Sequence, residues 1–131
     1  MSYKKDFDNW NSVKKKLENV SLKISFSDKE IWWCSTGVNV GAENDGKGEM
    51  FTRPVYILKK INSKTFIGIP LTTQLREDIA HLSFYFDYEF HTALILQVKV
   101  FDKKRLVKNI GITSDYLHNK LKKATVAFIL S

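Results

Sequence analysis

The chain has 131 residues, a formal net charge of +7 and one cysteine. That length fits a single domain with its own core, and a lone Cys34 excludes an intramolecular disulfide and a multi-cysteine zinc site. No apolar stretch approaches the ~20 residues of a membrane span, and MSYKKDFDNW lacks the apolar core of a signal peptide, so a cytoplasmic protein with no membrane association is expected.

The first element is a helix over residues 8–20. Asp8 or Asn9 can cap it, and Trp10, Val13, Leu17 and Val20 recur at helical spacing. It belongs to an N-terminal helical extension over residues 1–26. From about residue 23 the pattern turns to strands: Ile24 and Phe26 alternate with polar residues, and Ile31 to Cys34 is a short apolar strand. A polar loop follows over 35–52, holding Gly37, Gly41, Gly46 and Gly48. Pro54 to Lys60 reads as a strand, Asn62-Ser63-Lys64 as a turn and Thr65 to Ile69 as the hairpin partner. Pro70 is expected to end that ladder, having no N–H to donate. Thr72 to Asp78 is polar and reads as a loop. Leu82 to Tyr88 reads as a strand, and the apolar run Thr92 to Val100 as a central one. Asp102 can cap a short helix through Lys108 that ends near Gly111. Thr113 or Ser114 can cap a last helix whose Leu117, Leu121, Ala124 and Phe128 share a face. Hairpin-length connections imply a small, bent antiparallel sheet or open barrel with helices at one side, an α+β fold that is mainly β.

The basic balance points to an anionic partner, either a nucleic acid or an acidic protein segment. There is no GxxxxGK[ST], HExxH or GxSxG pattern, and GVNVGAENDG opens no strand–glycine–helix unit. His81, His91 and His118 are scattered and read as surface or edge residues, with His91 nearest a strand of interest. Cys34 reads as a small buried hydrophobe. Arg53 can form an ion pair with Glu43 or Glu49, or face a ligand beside the glycine loop. Thr72 and Thr73 can cap a turn or meet the same ligand. Gln97, the polar group within ALILQVKV, can anchor a loop or face a groove.

The segments EIWWCSTGVNVGAENDGKG, RPVYIL, GIPLTTQ, LILQVKVFDKKRL and KNIGIT, in that order, resemble the PemK/MazF family of toxins from bacterial toxin–antitoxin pairs. The resemblance runs from about Glu30 to Leu121. It implies an SH3-like open barrel of antiparallel strands, a homodimer and a cognate acidic antitoxin. It also implies a metal-independent, cofactor-free endoribonuclease that cleaves single-stranded RNA at specific sequences by 2′-OH attack. The family's arginine matches Arg53, its hydroxyl residue Thr72 and its loop acid Glu43; these are the expected catalytic residues. Thr73, Gln74, Gln97, Lys47 and Lys99 are the expected substrate contacts. Lys99 stands where the family carries an arginine, and a lysine is a point charge without the bidentate fork. A gyrase-poisoning toxin of the same fold, or a catalytically decayed binding module, are the competing readings. The ending VAFILS lacks the tryptophan expected of the gyrase poisons.

Overall fold

The computed structural model of the protein describes residues 24–36 and 52–131. The helix expected over 8–20 and the glycine loop carrying Glu43, Lys47 and Glu49 lie outside the described residues. Seven strands precede one helix: β1 (Glu30–Ser35), β2 (Thr52–Lys60), β3 (Thr65–Thr72), β4 (His81–Phe86), β5 (Glu89–Leu94), β6 (Lys99–Asp102), β7 (Leu106–Ile112) and α1 (Asp115–Ile129). The strands form one open antiparallel sheet in the order β4-β5-β3-β2-β1-β7, with β6 also on β3. The fold is therefore α+β and mainly antiparallel, as the sequence pattern implies. Among the described residues no helix is long and apolar enough to cross a membrane.

β3 explains the bend. Along one edge it pairs with β2. Along the other, Thr65 to Gly68 pair with β6, whereas Leu71 and Thr72 pair with β5. Pro70 does not end the ladder: it lies inside β3, opposite Val55. It sits where the strand changes partners, so its missing N–H falls in a gap of the second ladder. The same change of partner divides the apolar run Thr92 to Val100. That run is not one central strand. It is the end of β5, a 3₁₀ turn over Ile95–Gln97 and the start of β6. Ile95 N donates to Ala80 O (2.9 Å) and Val98 N to Ile95 O (3.0 Å), which carries the chain between strands.

Two further expectations are corrected by turns. β4 stops at Phe86, and Asp87-Tyr88 make a two-residue hairpin at positive φ (51° and 64°). Both central residues at φ > 0 match the twist that such hairpins need. Asp102 caps as expected, accepting from Lys104 N at 3.0 Å. The element it caps is only the 3₁₀ turn Lys103–Arg105, and residues 106–112 form β7 on the edge of β1. An extended β7 satisfies that edge and buries Leu106, which a helix over the same residues would not do.

Strand alternation feeds two cores. Trp32, Cys34, Val55, Ile57, Phe66, Phe101 and Leu106 close one face of the curled sheet, together with Phe26. Ile31, Tyr56, Leu58, Ile69, Leu71, Ala93 and Ile95 line the other, where α1 docks Leu121. Ser114 Oγ caps α1 by accepting from Leu117 N (3.1 Å). Leu117, Ala124 and Phe128 pack on the second core, the face that helical spacing assigns them.

A buried polar chain fixes α1 to the sheet. Tyr56 OH lies 2.7 Å from His118 Nδ1 and 3.2 Å from Thr113 Oγ1, and Thr113 Oγ1 donates to Lys29 O (2.8 Å). His118 and His91 are both buried, contrary to the surface reading. Burial pulls both imidazoles below their ordinary pKa, helped at His118 by nearby Lys122 and opposed at His91 by Glu89. Lys29, whose carbonyl accepts from both Thr113 N and Thr113 Oγ1, sits at φ 76°, a left-handed backbone that holds the turn before β1.

Candidate functional site

Arg53 enters the sheet near the start of β2, opposite Cys34 of β1. It is half-buried, and burial pulls its guanidinium below the ordinary arginine value. Among the described residues no carboxylate pairs with it. Arginine stays charged in proteins, and a partly desolvated guanidinium favours an anionic partner.

Thr72 closes β3. The Val55–Pro70 and Ile57–Gly68 pairs, carried one step further in the same register, set Arg53 opposite Thr72. Across β3, Thr72 pairs with Thr92, and Thr92 with Ser83. The result is a cross-strand row: Cys34, Arg53, Thr72, Thr92, Ser83. Ser83 Oγ lies 2.8 Å from Thr92 Oγ1 and donates to Arg76 O at 3.3 Å. Thr72 Oγ1 accepts from Gln74 N (3.3 Å), and Arg76 donates to Gln74 Oε1 (2.9 Å). The exposed segment after β3 is thus tied back to the sheet at both ends. Cys34 is fully buried beside Arg53 and burial pushes its thiol up, so it is no nucleophile.

A cleft of about 170 Å³ lies over the ends of these strands. Three successive rungs line it: Trp33, Pro54 and Leu71; then Arg53 and Thr72; then Thr52 and Thr73. Arg53, Thr72 and Thr73, singled out in the sequence, therefore meet at one place. Gln74 is exposed on the adjoining loop. Lys99 and Gln97 do not line the cleft. Lys99 pairs with Gly68, four positions along β3 from Thr72, and its ammonium sits 5.1 Å from the Phe101 ring. Four positions of strand are about 13 Å. Gln97 is half-buried in the 3₁₀ turn between β5 and β6 rather than in a strand. Glu43 and Lys47 lie outside the described residues. Among the described residues no three His, Cys, Asp or Glu side chains converge in a way that could hold a metal ion.

Sequence reasoning missed Trp33, Thr92 and Ser83. Trp33 looked like one more residue of an apolar strand. Thr92 and Ser83 join the row only through pairings of β5 with β3 and β4, which no local pattern reveals.

Residues 28–129 match the family described as the PemK-like, MazF-like toxin of type II toxin–antitoxin systems. Among solved structures, the chain resembles an endoribonuclease in complex with its cognate antitoxin from a mycobacterial species. The TM-score is 0.61 at 13% identity, over 80% of this chain and 95% of that one. At that identity the likeness is one of fold. No curated protein matches the chain.

Proposed function

We propose that this chain, which belongs to the PemK-like, MazF-like family of type II toxin–antitoxin toxins, is a metal-independent endoribonuclease acting on single-stranded RNA. The observation that carries the reading is the cleft itself: Arg53, half-buried and without a carboxylate partner among the described residues, shares it with Thr72.

RNA brings its own nucleophile. A base removes the 2′-OH proton, O2′ attacks the adjacent phosphorus, and the P–O5′ bond breaks. O5′ takes up a proton, leaving a 2′,3′-cyclic phosphate and a 5′-OH. The protein must hold the attack in line and stabilise charge on the non-bridging oxygens. Arg53 supplies a fixed cation with planar donors for those oxygens. Thr72 accepts from Gln74 N, so its own proton is available to a phosphate oxygen. Thr73, Gln74 and Lys99 contact flanking nucleotides. By family resemblance Glu43 is the base, and Lys47 and Gln97 add substrate contacts. DNA lacks the 2′-OH and is not cut. The net charge of +7 supports salt-dependent binding to RNA. The same charge suits an acidic antitoxin that folds on the toxin and covers its site, and a homodimer is the expected assembly.

The test is cleavage of a long unstructured RNA in EDTA, wild type beside Arg53→Ala. Wild type should cut at a few short sequences. The variant should lose on the order of 10²–10³ in rate or more. An Arg53→Ala protein as active as wild type would move the chemistry elsewhere. No cleavage by folded, antitoxin-free wild type would leave a binding module.

A further inference from the structure

Trp33 is the aromatic side chain at the cleft, and the nuclease reading gives it no task. It is 39% exposed, whereas its neighbour Trp32 is 6% exposed and donates its indole N–H to Glu30 Oε1 at 3.0 Å. One tryptophan of the pair fills the first core. The other is left at the surface, where so large an apolar face gains little from folding. Its surroundings are specific. It lies on β1 between Pro54 of β2 and Lys108 of β7. It lines the cleft with Pro54 and Leu71, one rung from Arg53 and Thr72. Adjacent rungs point to opposite faces of a strand, but both side chains line the one cleft at the strand ends, so a ligand with a phosphate on Arg53 can lay a neighbouring planar group over the indole, with the exposed Lys108 ammonium beyond it.

We propose that Trp33 is a base-stacking subsite: it holds an unstacked nucleobase next to the scissile phosphate, and Lys108 draws in the phosphate on its far side. This deepens the nuclease reading and rests on it for the word scissile, but not for the binding. A single strand with splayed bases is the ligand that needs both a flat π face and spaced cations. Stacking on one aromatic side chain accepts every base, so Trp33 contributes affinity and positions the strand, while sequence choice falls to polar groups around it.

The test uses the full chain, wild type beside Trp33→Phe and Trp33→Ala, with the shortest RNA that wild type cuts at one site. Trp33→Ala should raise KM roughly 10- to 100-fold with kcat little changed, and Trp33→Phe should recover most of the loss. Removing the base on one side of the cleaved phosphate should cost wild type the same factor and cost Trp33→Ala nothing more. A second readout needs no cleavage. A short mixed-sequence DNA single strand should quench wild-type tryptophan emission at low salt and fail to quench Trp33→Phe. Quenching without RNA cleavage would sink the nuclease reading and keep the subsite. Wild-type KM in Trp33→Ala, or an abasic penalty undiminished in that variant, would overturn the subsite. So would conversion of a wild-type dimer to a monomer by Trp33→Ala, which would make the indole a contact between copies.

Discussion

Removing the hydroxyl of Tyr56 tests how α1 is held to the sheet. The side chain is fully buried, and its oxygen sits between His118 Nδ1 (2.7 Å) and Thr113 Oγ1 (3.2 Å). Thr113 gives its hydroxyl proton to Lys29 O, and Tyr56 Oη is the middle link between His118 and that hydroxyl. The shorter contact, to His118 Nδ1, is a hydrogen bond in either tautomer of the imidazole, with Tyr56 or His118 as the donor. Burial pushes the phenol up to about 12, with the Thr113 contact pulling against it and Asp28 adding to it, so the hydroxyl stays protonated throughout the working range.

Tyr56→Phe keeps the ring and its packing and deletes the middle link. His118 Nδ1 then faces carbon. A buried polar group left without a partner costs about 1–3 kcal/mol, and a switch of tautomer only moves the deficit to the bare lone pair. For a chain of this size that is a fall in Tm of roughly 4–10 °C. The assay is urea and thermal unfolding of wild type, Tyr56→Phe, His118→Leu and the double variant. The double variant should be clearly more stable than the sum of the single losses predicts, since removing both partners leaves nothing unsatisfied. If Tyr56→Phe unfolds at the wild-type midpoint, the hydroxyl contributes nothing and α1 is held to the sheet by apolar packing alone.

Gly68→Ala should cost about 1–3 kcal/mol, because a Cβ there would lie 2.8 Å from both Phe101 Cδ1 and Val55 Cγ1, and Phe101 is stacked on Phe66 at 5.3 Å; an unchanged urea midpoint would count against so tight a first core. Acid should destabilise the fold from about pH 6.5 downward, since His118 and His91 have depressed folded pKa values and bind protons less readily than the unfolded chain. Their contribution is complete above the unfolded pKa and is lost as pH falls towards the folded one, at no more than about 1.4 kcal/mol per pH unit for each; stability that rises on acidification through that window would contradict their neutral burial. Thr92→Val removes the hydroxyl that bonds Ser83 behind Thr72. It should cost about 1 kcal/mol and lower the RNA cleavage rate by on the order of 10-fold through misplacement of Thr72, and an unaltered rate would detach this row from the site.

Short-range pattern carried the elements whose partners are local. The cap at Ser114 and the apolar face of α1 depend on residues three or four apart, and both stand in the structure. The β2–β3 hairpin follows from its turn residues, where Asn62 Oδ1 accepts from Lys64 N and Thr65 N. Failures cluster where a partner from elsewhere decides. Hydrophobicity marks Thr92 to Val100 as buried but cannot say that β3 offers its edge in two halves. Residues 106–112 become a strand because β1 has an open edge, and two register shifts let seven residues fit against five. Tyr88 ends no strand because the hairpin needs two residues at positive φ, a conformation that tyrosine seldom adopts and that its side chain does not announce.

The site was legible to the same depth and no further. RPV and PLTT, on strands joined by a short turn, say that Arg53 and a threonine meet. They do not say which threonine. Beyond Leu58 the hairpin is paired as Lys59–Ile67 and Lys60–Phe66, and that register carried to the far end would set Arg53 opposite Thr73. A shift between Ile57 and Lys59 moves the pairing by one residue, so Arg53 meets Thr72 instead. One residue of shift exchanges the faces of a strand. A bulge near the turn therefore selects the hydroxyl at the other end of the hairpin. Thr72→Ala should lower RNA cleavage by on the order of 10²-fold, as loss of one phosphate donor does. Thr73→Ala, whose exposed side chain is on the next rung, should change it by no more than a few-fold. Single-turnover rates on one RNA separate the two. Equal losses, or a larger loss at Thr73, would mean that the catalytic row is set by something other than the register of β2 on β3.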